Sequence, residues 1–69
     1  MFFIFIKACK KYRFSYILNI NSGFVLTLHP NNTFETIEIK QEYYECSYFK
    51  LFLKAIKKMK WYRKEIGYR

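Results

Sequence analysis

The stretch Glu42–Lys64, EYYECSYFKLFLKAIKKMKWYRK, is the one long run of this 69-residue chain that keeps a helical period without Gly or Pro. Its Leu, Lys, Ala, Met and Glu residues are all good helix formers. At about 100° per residue, Tyr44, Tyr48, Phe49, Leu51, Phe52, Leu53, Ala55, Ile56, Met59, Tyr62 and Ile66 fall in one arc of roughly 200°. Lys50, Lys54, Lys57, Lys58 and Lys64 fall on the complementary arc, and Trp61 falls among them. Lys60 and Arg63 intrude on the apolar side, where a long side chain snorkels or the helix has ended. Gly67 supplies a C-terminal stop. Glu42 has no capping residue directly before it, and Ser47 is the side chain able to cap a later start.

A helix of this kind must lay its apolar arc on something, and the preceding residues read as a sheet. Residues 2–7, FFIFIK, are β-branched and aromatic and apolar on both sides, which predicts a strand near the centre of the sheet or one whose second face meets another subunit. Cys9-Lys10-Lys11 reads as a turn. Residues 12–20 alternate, with Tyr12, Phe14, Tyr16, Leu18 and Ile20 on one face. Asn21-Ser22-Gly23 is a turn, residues 24–29 are a strand, and His29-Pro30-Asn31-Asn32-Thr33 is a second turn. Residues 34–40 place Ile37 and Ile39 inward and Glu38 and Lys40 outward, a charge pattern suited to a sheet edge, although Phe34 breaks the alternation.

The expected architecture is therefore α+β. A single small domain carries an antiparallel meander of three to four strands, followed by a long C-terminal amphipathic helix over residues 42–64 on one sheet face. A helix of about 23 residues is about 35 Å long, against about 23 Å for a seven-residue strand. The end Met59–Lys64 is then expected to overhang the sheet.

Charge narrows the partners. The formal net charge is +8, and Lys and Arg total 13 against five acids. Lys7, Lys10, Lys11 and Arg13 stand without an acid before Glu35, and the helix carries most of the remainder. Such blocks favour anionic partners, either nucleic acid or an acidic protein surface. The Phe, Tyr, Ile, Asn and Lys bias also matches AT-rich codons, as in a viral or mobile-element reading frame, and that bias accounts for part of the basicity.

Catalytic chemistry is thinly supplied, and the expectation is no enzyme, no cofactor and no metal site. The sequence holds no Asp, one His, two Cys and two Gly. His29 lacks a visible orienting partner, Cys9 lacks a base, and two Cys with one His make no zinc set. Glu35, Glu38, Glu42 and Glu45 read as a solvated acidic band. No signal peptide and no membrane-spanning run is legible, so a cytoplasmic, reduced location is expected, inside the host cell if the chain is viral.

The leading functional expectation is a nucleic-acid-binding protein. Lys50, Lys54, Lys57, Lys58 and Lys64 contact phosphates, Trp61 stacks, and Lys10, Lys11 and Arg13 extend the patch if the first turn lies near the helix end. Weak sequence preference follows from the predominance of lysine over arginine. The alternative is a small phage-type inhibitor or adaptor that binds a host protein through an aromatic anchor drawn from Phe2, Phe3, Phe5, Tyr43 and Trp61. Homodimerisation is one way to cover surplus apolar surface. Membrane attachment ranks below both, because the apolar arc is needed by the sheet.

Overall fold

The computed structural model describes residues 1–21, 23–42 and 47–68. The elements run α1 (Phe2–Tyr12), β1 (Phe14–Ile20), β2 (Phe24–Pro30), β3 (Ile37–Gln41) and α2 (Tyr48–Glu65). The sheet is a three-stranded antiparallel meander in the order β1-β2-β3, with the C-terminal helix on one face. The α+β plan read from the sequence is thus present, with one element replaced.

That element is the first. Residues 2–7 are not a strand but the opening of α1. A strand would place Phe3 and Phe5 on one face, whereas a helix separates them by about 200°. Phe5 is completely buried, and Phe3 is 82% exposed. Phe5, Ala8 and Cys9, spaced at three and four residues, form the buried stripe. Burial of that stripe overrides the β preference of a Phe- and Ile-rich segment. Cys9-Lys10-Lys11 is accordingly no turn. Lys10 and Lys11 lie in the last helical turn, where a cation complements the negative end of the macrodipole. The chain reverses instead at Arg13, in the left-handed region at φ 59° and ψ 59°.

The sheet directs its apolar residues to one side. On β2, Phe24, Leu26, Leu28 and Pro30 are buried. Leu26 is flanked by Leu18 and Ile39, and Leu28 by Tyr16 and Ile37. β3 is the edge strand expected from its charges, with outward Glu38 and Lys40 3.7 Å apart. The strand begins at Ile37, past the irregular Phe34.

The helix start expected at Glu42 moves to Ser47. Glu42 is non-helical, and the rest of that expected turn, residues 43–46, lies outside the described residues. The Ser47 hydroxyl accepts the Lys50 N–H at 3.4 Å, satisfying a donor that the helix itself leaves free. Gly67, at φ 89°, follows the helix as the expected stop.

The overhang also disappears. Met59, Tyr62 and Arg63 are buried, not free. α2 is shorter than expected, about 27 Å for its 18 residues, and α1 lies beside it. Phe2 meets Phe52 near the start of α2 with centroids 5.7 Å apart, while Arg63 near its end reaches the Tyr12 carbonyl. The two helices therefore run parallel, with both N-termini at one end of the molecule. Phe5 joins helices and sheet, stacked on Phe52 at 4.7 Å and edge-on to Tyr16 at 5.0 Å.

Candidate basic interface

Burial on α2 falls on Leu51, Phe52, Ala55, Met59, Tyr62 and Arg63. The opposite face carries Lys50, Lys54, Lys57, Trp61 and Lys64 at alternating steps of four and three residues, all exposed. This row is about 21 Å long. Trp61 is 48% exposed and stands within the row, with the Lys58 ammonium 4.8 Å from its ring centroid. The ring is thereby braced by a cation while about half of the residue stays open to solvent. Among the described residues none of these lysines is ion-paired. Lys60, expected on the apolar side, is exposed and adds to the same surface.

Arg63 does lie on the apolar side expected of it, but it neither snorkels to solvent nor falls past the helix. Its guanidinium is buried among the rings of Phe14, Tyr62 and Tyr68. Nε donates to the Tyr12 carbonyl at 2.5 Å, one Nη to the Arg13 carbonyl at 2.8 Å, and the other to the Gly67 carbonyl at 2.9 Å. One side chain thus satisfies acceptors at the C-terminal ends of both parallel helices, where the two macrodipoles concentrate negative potential. The signal was present in the sequence: an arginine on the apolar arc, one turn after Met59.

The other predicted cations are partly gathered. Tyr68 donates its hydroxyl to the Lys11 carbonyl at 3.3 Å, and the Arg13 guanidinium lies 5.7 Å from the Tyr68 ring. Lys11 and Arg13 therefore sit near the C-terminal end of α2. Lys10 borders an open 440 Å³ cleft beside β1, shared with Ile6, Arg13, Ser15 and Asn31.

The remaining candidates are dispersed. Phe5 is core, and Tyr43 lies outside the described residues. The His29 Nδ1–H donates to the Glu35 carbonyl at 2.8 Å. The Glu35 carboxylate accepts the Tyr62 hydroxyl, and Glu38 faces Lys40. Burial pushes the Cys9 thiol up to about 11, which keeps it protonated at neutral pH. Among the described residues no three His, Cys or Glu side chains converge on a metal-sized site, and no helix is long and apolar enough to cross a membrane.

Sequence reasoning did not single out Phe34 as a surface feature. It stands fully exposed on the β2–β3 loop, and that loop is tied down around it. Thr33 donates to the Pro30 carbonyl at 2.8 Å, and the Glu35 N–H donates to the Thr33 hydroxyl at 3.3 Å. No family model, curated protein or solved structure matches the chain.

Proposed function

We propose that the protein is a small non-enzymatic nucleic-acid-binding protein that grips the phosphate backbone with the outer face of α2. The observation that carries this reading is the row Lys50, Lys54, Lys57, Trp61 and Lys64, exposed and without an ion-pair partner among the described residues, with an aromatic ring in register among the cations. Ammonium groups act as point charges on phosphate and read little of the base edges, so weak sequence preference is expected. Trp61 offers a π face on which any unpaired base stacks. Lys11 and Arg13 lengthen the surface beyond the end of α2.

The test is a fluorescence-anisotropy titration against unrelated duplex DNA, single-stranded DNA and RNA at about 50 mM and about 200 mM salt. Four to six phosphate contacts predict a loss of affinity on the order of 10²–10³-fold between the two for duplex DNA. Absence of binding at the lower salt, or binding indifferent to salt, overturns the reading.

A second reading, an adaptor or inhibitor of the phage type that binds an acidic face of another protein, is favoured by Phe34. A fully exposed ring on a hydrogen-bonded loop is a preorganised anchor. Phe34→Ala abolishes binding on this second reading and leaves nucleic-acid affinity unchanged on the first.

A further inference from the structure

We propose that the end of the molecule formed by the two helix N-termini is a homodimer interface. Because the helices run parallel, Phe2, Phe3 and Ile4 of α1 come to the same end as Tyr48 and Phe49 of α2, and Ile20 of β1 joins them. Ring contacts link Phe2, Tyr48 and the Ile20 strand pair, and Phe3, Ile4 and Phe49 are their chain neighbours. Phe2 and Tyr48 both touch Phe52, with centroids 5.7 and 6.0 Å away, while Tyr48 touches Phe24, the strand partner of Ile20.

These six side chains range from 46% exposed at Ile20 to 82% at Phe3. At about 200 Å² for a fully exposed ring, they present roughly 600 Å² of apolar surface. That is at the upper limit of the largest patch on a typical monomer, about 300–600 Å². It approaches the roughly 800 Å² per partner that a stable interface buries.

Composition and charge select the occupant. Among these six side chains the one polar group is the Tyr48 hydroxyl, and interfaces this apolar are characteristic of homodimers. Lys10, Lys11, Arg13, Lys57, Lys58, Lys60 and Lys64 belong to the other half of the two helices, against Lys7, Lys50 and Lys54 in this half. Two copies of this strongly cationic chain repel least when they meet at the helix N-termini, with their basic ends farthest apart. A two-fold axis through this end closes the assembly at a dimer.

Sedimentation velocity of the wild-type protein from about 1 to about 100 µM, spanning the micromolar affinities open to an interface of this size, tests the proposal. The expected result is a concentration-dependent shift from the 8.6 kDa monomer to a species of twice that mass, with nothing larger. Phe3→Glu and Phe49→Glu should each abolish the shift. Both residues lie in the first turn of a helix, where a carboxylate is favourable, so helicity by circular dichroism should be retained. Phe34→Ala, an exposed ring elsewhere, should dimerise as wild type does. A monomer across the whole range overturns the proposal, as does unlimited growth. Binding to phosphatidylserine vesicles by a protein that stays monomeric, lost in the two Glu variants, overturns it in favour of a lipid surface.

Discussion

Arg63 shows how much one side chain does in a chain this small. A buried guanidinium is tolerable only when its donors are satisfied, and here three backbone carbonyls from two helix ends satisfy them. Arg63→Ala leaves those acceptors unpaired and opens a gap among Phe14, Tyr62 and Tyr68. A loss of about 2–4 kcal/mol is expected, read as a lower midpoint in urea denaturation. Arg63→Lys should recover less than half of that loss, because an ammonium lacks the planar fork. Cys9 behaves oppositely, as a buried thiol whose chemistry is suppressed. Peptide mapping after iodoacetamide treatment at pH 8 should find Cys9 unmodified in native protein and modified in denaturant. Its raised pKa also sets a sign. Below pH 9 the thiol is protonated in both states. As pH rises from 9 toward 11, the unfolded chain alone gives up the proton, so stability falls across that window. Cys9→Ala should show a smaller fall.

At the scale of elements, α1 is the segment on which the reading of the chain turned. Phe5→Ala removes a fully buried ring stacked on Phe52 and edge-on to Tyr16, at an expected cost of about 3–5 kcal/mol, enough to unfold a domain this small. Phe3→Ala should change stability by less than about 0.5 kcal/mol, as expected for an exposed site. Chemical denaturation of the two variants separates the helix from the strand, since a strand would bury both rings alike. The meander was legible because Tyr16, Leu18, Leu26, Leu28, Ile37 and Ile39 alternate cleanly and turn residues separate the strands. The outer face of α2 was legible for the same reason at a period of 3.6. The first helix was not, because Phe and Ile carry β propensity and FFIFI, apolar at every position, shows no helical period. The deciding fact, that Phe5, Ala8 and Cys9 join the buried core with Phe5 stacked on Phe52 of α2, is tertiary. The reversal at Arg13 had no local signal either, since a non-glycine residue in the left-handed region is held there by distant partners. The Asn31 N–H donates to the Arg13 carbonyl at 2.9 Å, and Arg63 donates to the same carbonyl.

For the whole molecule, the consequence of parallel helices is polarity. Exposed rings concentrate where both helices begin, most of the helical cations lie toward the ends, and the lysine row of α2, from Lys50 to Lys64, runs along the face away from the sheet. The proposed function rests on that row being a specific surface, not a share of a diffuse positive charge. The most direct measurement is the salt dependence of DNA binding for Lys54→Gln/Lys57→Gln beside a control of equal charge, Lys7→Gln/Lys40→Gln. The row predicts that the first pair lowers the slope of log affinity against log salt by about 1.8, while the control stays close to wild type. Equal losses in both pairs would contradict the account and leave only the net charge to explain binding.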